Sequence, residues 1–231
     1  MSVPLAIVGH GKMGRLVEQL APEYGFAVCA RFRSADARTI SQRSLAGAMT
    51  AIEFTNGSVA PENLRRLASL GVSTVCGTTG WFEQLGAIRD EFAAANAVLV
   101  YGTNFSIGVN LFLQVVASAA TLFAQQPQYE AWAWEIHHSA KKDSPSGTLK
   151  QLTEDVRAAG FNGSLTLSAN RAGAHPGTHE IGFDSAEDTI TLRHTARSRE
   201  GFARGALSAA KWMAGKRGVF EFREILGELG E

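Results

Sequence analysis

The sequence predicts an α/β fold in two parts: a parallel-sheet domain and, inserted within it, an α+β domain built on a mainly antiparallel sheet. Three observations carry this. Residues 4–9 are a short apolar run meeting Gly9-His10-Gly11-Lys12-Met13-Gly14, and Met13, Leu16, Val17 and Leu20 follow at helical spacing: strand, glycine turn, helix. Four more short apolar runs before residue 106 alternate with helical patterns, the arrangement of parallel strands joined by helices. Beyond residue 128 the period drops to two, in runs over 129–137, 165–169, 178–183 and 189–194.

The elements of the first part end where a ligand can sit. The first turn is a complete G-x-G-x-x-G between a strand and a helix. In that context glycine lets the backbone approach a pyrophosphate, and the helix N-terminus supplies amides to it. The first domain, residues 1–106 with 200–231, is therefore Rossmann-like, and Gly9, His10, Gly11, Lys12 and Met13 are candidate cofactor-binding residues. The second strand, 26–33, lacks an Asp or Glu at its end to accept from the adenosine ribose; Arg31 and Arg33 stand there instead. Arginine pairs well with phosphate, so the cofactor expected is NADPH, or either of NADPH and NADH. Residues 50–55 form the next strand, with Phe54 near its end, and Pro61 opens a helix. Residues 72–76 run into Gly77-Thr78-Thr79-Gly80, and residues 98–101 into Gly102-Thr103-Asn104-Phe105-Ser106. Both turns follow strand C-termini, where ligands bind in open parallel sheets. A long helix over 107–126 leads into the inserted domain, 107–199, and a short strand-like run at 218–222 closes the chain.

The inserted domain holds the densest chemistry. In residues 129–137, Trp132, Trp134 and Ile136 share one strand face, and Ala131, Ala133, Glu135 and His137 share the other, which reads as the polar one. His137 leaves the strand end with an imidazole whose ordinary pKa is about 6.5, suited to proton transfer near neutrality. Lys141 follows four residues later as a positive charge. Pro145-Ser146-Gly147-Thr148 then opens a helix through Leu149, Leu152 and Val156, with outward amides suited to an anion. A histidine acid, a lysine and free amides suit a small carboxylate substrate that must be protonated.

The pattern E-x-H-H-x-x-K-x-D-x-P-S-G-T, at Glu135, His137, His138, Lys141, Asp143, Pro145, Ser146, Gly147 and Thr148, resembles that of the dihydrodipicolinate reductases of bacterial lysine biosynthesis. The G-T-T-G turn, the N-F-S-x-G segment and R-x-G-x-x-x-G-x-H at Arg171, Gly173, Gly177 and His179 are similar to family elements too, although Thr103 stands where the family usually has proline. The resemblance implies reduction of 4-hydroxy-tetrahydrodipicolinate to tetrahydrodipicolinate with NADPH or NADH. It implies catalytic roles for His137 and Lys141, and substrate binding by His138, Ser146, Gly147 and Thr148. Gly77, Thr78, Thr79, Gly102, Thr103, Asn104, Phe105, Arg33, Phe54, Arg199 and Phe202 join the cofactor set. It also implies that the second domain's sheets pair into a homotetramer. A dehydrogenase for another amino or sugar acid, and a nucleotide sensor without turnover, are the alternatives.

The composition excludes other classes. The 22 basic and 22 acidic residues cancel, so nothing invites nucleic acid or an anionic membrane surface. No charged residue lies between Glu91 and Glu130, but Asn96, Asn104, Asn110 and Gln114 interrupt that stretch, so a buried strand and helix are expected, not a span. Cys29 and Cys76 read as buried thiols of a reducing compartment, and with no basic, apolar leader the expected location is cytoplasmic. His175, His179 and His194 have no Cys or carboxylate at ligand spacing, so no metal site is expected.

Overall fold

The computed structural model describes residues 2–33 and 38–230 and divides into two compact units, one running to residue 106 and resuming at 202, the other spanning 107–201. In the first, β1 (Val3–Val8), α1 (Lys12–Leu20), β2 (Phe26–Phe32), β3 (Thr50–Glu53), α2 (Ala60–Ser69), β4 (Ser73–Cys76), α3 (Leu85–Ala94) and β5 (Val98–Tyr101) follow in order. After the second unit come α6 (Glu200–Trp212) and β10 (Gly218–Glu221). The sheet order is β10-β5-β4-β3-β1-β2, and every pairing is parallel. Leu5, Ala6, Ile7 and Val8 are all fully buried, which is why β1 is a continuous apolar run. The chain leaves β1 for β2 on one side and later for β3 on the other, so the strand order reverses there, and such a reversal opens a ligand crevice.

The second unit contains α4 (Ile107–Phe123), β6 (Glu130–His137), α5 (Gly147–Ala158), β7 (Leu165–Arg171), β8 (Thr178–Asp184) and β9 (Thr189–Thr195). Val109, Leu113, Val116 and Ala120 of α4 and Leu149, Leu152 and Val156 of α5 form one core with Ala131, Ala133, Ile181 and Phe183 of the sheet.

Two expectations are corrected here. The second sheet, in order β7-β6-β8-β9, is mixed, because β6 and β7 pair in parallel. The cause is the β6–α5–β7 path: a strand that returns through a helix comes back in the same direction. Only β6–β8 and β8–β9 are antiparallel. The faces of β6 are also opposite to the expectation. Ala131, Ala133, Glu135 and His137 are buried, while Trp132, Trp134 and Ile136 are only half-buried. Alanines let the helices approach closely, so the small-residue face became the core side. No helix among the described residues is long and apolar enough to cross a membrane.

Candidate active site

The glycine turn is built by close packing. Gly9 has φ +95°, and a Cβ there would overlap the Phe54 carbonyl; one at Gly14 would overlap the Gly9 carbonyl. A Cβ on Gly11 would meet nothing within 4 Å. The first and third glycines thus close the turn, while the second leaves an open backbone approach at the start of α1, which is the fit a pyrophosphate requires. This turn and the next ones are fastened to neighbouring strands: Gly9 N donates to Phe32 O (2.8 Å), Phe54 N to Val8 O (2.8 Å) and Gly77 N to Glu53 O (3.0 Å). The Phe54 ring lies where a Gly77 side chain would be.

These turns bring Gly9, His10, Gly11, Lys12, Met13, Phe54, Gly77, Thr78 and Thr79 to one edge of the sheet, with Gly102, Thr103, Asn104 and Phe105 beyond β5. Some of these side chains face inward. Thr78 Oγ1 accepts from Thr55 N at 2.7 Å, and the buried Phe105 packs on Phe222 with ring centroids 4.5 Å apart. Arg33 is exposed just past β2. Arg31 is held by Glu18: its Nε donates to Oε1 at 2.7 Å, and Nη2 donates to the same oxygen. Phe202 is half-buried near the start of α6; Arg199 is exposed and precedes that helix.

The second unit is organised on Glu135, which is fully buried. Ser146 N donates to its Oε1 at 2.9 Å, and the Ser146 hydroxyl donates to Oε2. Arg171 Nη2 donates to Oε1 at 2.9 Å, and His179 Nε2 lies 3.3 Å from Oε2. Burial pushes the Glu135 carboxyl up, but the hydrogen bonds from His179, Ser146 and Arg171 together outweigh it and hold it below its ordinary value. His137 leaves the same strand face, its Nδ1 3.7 Å from Glu135 Oε2 and without a hydrogen-bond partner among the described residues. Burial lowers the His137 imidazole to about 4 against the pull of Glu135, so at neutral pH the ring is uncharged. Its other nitrogen, Nε2, would be 3.0 Å from a Cβ on Gly177, whose φ is +134°.

Lys141 Nζ donates to both Asp143 carboxylate oxygens, at 2.8 and 2.9 Å. Ser146 is the N-cap of α5 and accepts from Leu149 N, so Gly147 and Thr148 occupy the first positions of the helix, where amides point outward. A Cβ on Gly147 would meet nothing within 4 Å. His138 is half-buried just past the strand end.

The sequence pattern contains Glu135 but gives it no role, although it lies two positions before His137 in an alternating strand and so must share its face. Arg171 and His179 also join the site. No carboxylate stands at ligand spacing from His179 in the sequence, but Glu135 reaches it across the β6–β8 pairing. One atom each of Glu135, His137 and His179 lie within 4.8 Å of one another, but both Glu135 oxygens already accept from protein donors.

A parallel sheet with an open glycine turn, and a second unit with a buried histidine, a lysine and a helix N-terminus, define a class: a Rossmann-type oxidoreductase that uses a pyridine nucleotide. The particular family follows from comparison. Residues 3–105 match the model of the dihydrodipicolinate reductase N-terminus and residues 108–226 that of its C-terminus, so the chain belongs to that family. A 4-hydroxy-tetrahydrodipicolinate reductase from Caulobacter vibrioides is 35% identical, covering 97% of this chain and 97% of its own. One from Thiobacillus denitrificans is 32% identical over 98% of this chain and 99% of its own. The fold is similar to that of the dipicolinate-bound dihydrodipicolinate reductase from Paenisporosarcina sp. TG-14, with a TM-score of 0.73 at 18% identity over 97% of this chain and 100% of the other.

Proposed function

We propose that the chain reduces 4-hydroxy-tetrahydrodipicolinate to tetrahydrodipicolinate, with loss of water, in the diaminopimelate route to lysine. The observation that carries this is the family's motif folded into one working cluster, with Glu135 holding Ser146, Arg171 and His179 beside His137. When bound, the nucleotide would supply a hydride; every other role belongs to this chain's own backbone and side chains. The amides of Gly147 and Thr148, with His138, bind a substrate carboxylate at the N-terminus of α5. Ser146 acts by fixing that terminus, because its hydroxyl is engaged with Glu135.

The 4-hydroxyl leaves with a neighbouring ring proton as water, which opens a conjugated C=C–C=N system; a ring in that state that takes up a hydride would carry negative charge, and a proton must quench it. An uncharged His137 becomes a donor when an anionic substrate sits beside it, because nearby negative charge favours the imidazolium. Lys141 neutralises or protonates the developing charge once substrate competes with Asp143 for its ammonium. The cofactor is NADPH, or NADPH and NADH alike, with Arg33 as the candidate reader of a 2′-phosphate. Gly9, His10, Gly11, Lys12 and Met13 would hold the pyrophosphate, and the turns at 77–79 and 102–105 with Phe54 and Phe202 would complete the first unit's share of the nucleotide site. The enzyme works as a homotetramer in the cytoplasm.

The test is oxidation of NADPH and of NADH with substrate generated by the preceding condensation. Turnover that collapses in His137→Gln and Lys141→Ala, with nucleotide binding intact, supports the roles given. Turnover that survives in both removes them.

A further inference from the structure

We propose that Glu18 is a specificity-determining residue for the nucleotide: it withholds Arg31 from the adenosine 2′-phosphate and so keeps NADH in use beside NADPH. The inference rests on the nucleotide reading above. Gly9 N and His10 N both donate to Phe32 O, at 2.8 and 3.2 Å, so the glycine turn is fastened to the end of β2. That junction is where such domains meet the adenosine ribose, with an acid that reads the hydroxyls or an arginine that takes the phosphate.

Here β2 ends in arginines, and the acid arrives from α1. Glu18 Oε2 lies 2.6 Å from His10 Nε2, while Oε1 accepts from Arg31 Nε at 2.7 Å and from Nη2. One carboxylate thus ties the turn, the helix and the strand together. The guanidinium edge that would grip a phosphate is turned onto it. Its own negative charge also opposes a dianion at the same place. The Arg31 side chain is 43% exposed and that of Glu18 29%, so the pair stands at the surface. Exposed pairs are weak. A phosphate can therefore compete for Arg31, and the preference is graded and not absolute.

The experiment measures dissociation constants of NADPH, NADH, 2′,5′-ADP and 5′-AMP by calorimetric titration. The proteins are the wild type, Glu18→Gln, Arg31→Met and the double variant. Glu18→Gln is expected to tighten NADPH and 2′,5′-ADP by about tenfold, the scale of one charge-assisted contact, with NADH and 5′-AMP moving less than about twofold. Adding Arg31→Met should abolish the gain, since the effect runs through that side chain. A gain shared equally by NADH, no gain at all, or a gain that survives loss of Arg31 overturns the role of Glu18 and leaves the nucleotide reading standing. A wild-type protein that binds neither nucleotide overturns both.

Discussion

His137 is a buried base with no hydrogen-bond partner on Nδ1 among the described residues, and its titration gives a measurable consequence. Its folded pKa of about 4 lies below the ordinary 6.5, so between those values the unfolded chain binds the extra proton. Stability is therefore full above pH 6.5 and falls as pH drops toward 4, by about 3 kcal/mol in all from this residue. Glu135, held below its ordinary value, adds to the loss in more acid solution. Denaturant unfolding at a series of pH values should show this slope, and His137→Gln should flatten the part between pH 6.5 and 4. Gly177→Ala tests the packing of the same ring. At φ +134° any side chain is strained, and the Cβ would stand 3.0 Å from Nε2. A loss of about 1–3 kcal/mol in stability is expected, and a displaced imidazole should lower kcat by about tenfold to a hundredfold with the nucleotide constants unchanged. Of this site the sequence displayed His137, Lys141 and the helix start, because they are contiguous. Arg171 and His179 stand in a separate family-like segment, and their meeting with Glu135 comes only from the pairing of β6 with β7 and β8.

At the scale of elements, the three glycines of the first turn separate two kinds of defect. Gly9→Ala drives a Cβ into the Phe54 carbonyl and should lower stability by about 2 kcal/mol or more while abolishing nucleotide binding. Gly11→Ala meets no protein atom, so stability should stay within about 0.5 kcal/mol. Its methyl group stands at the approach to the pyrophosphate, so nucleotide binding should still weaken about tenfold or more. Thermal unfolding and calorimetric titration on the same pair of variants would distinguish them. The parallel strands were legible because continuous apolar runs mark strands buried on both faces. The faces of β6 were not, since tryptophan reads as core by hydrophobicity alone. The geometry that decided the matter was alanine's tolerance of two covering helices. The parallel β6–β7 pairing was within reach of the sequence, where residues 149–156 already form a helix between two strands.

For the molecule as a whole, the second unit's sheet has helices α4 and α5 packed on one face. Its other face carries Trp132 and Trp134, with Arg193 over the Trp134 ring at 5.7 Å. A half-buried tryptophan face is the surface on which the proposed tetramer would assemble. Sedimentation should report a mass of about four 24.7 kDa chains, and Ser168→Arg, on β7 opposite Trp134 in the register of the pair, should lower it. A wild-type monomer would remove the tetramer from the account. The chain's return to the first unit was visible in the short apolar run at 218–222, because β10 completes the parallel sheet beside β5. Glu135 organises the proposed chemistry of the second unit, and Glu135→Gln is the variant that isolates its part. It keeps the side chain's shape and removes the charge that holds Arg171, Ser146 and His179. The measurement is the rate of NADPH oxidation with 4-hydroxy-tetrahydrodipicolinate, beside nucleotide dissociation constants that report a folded first unit. A fall in kcat of about a hundredfold or more is expected, with those constants unchanged. A variant that turns over at the wild-type rate would contradict it.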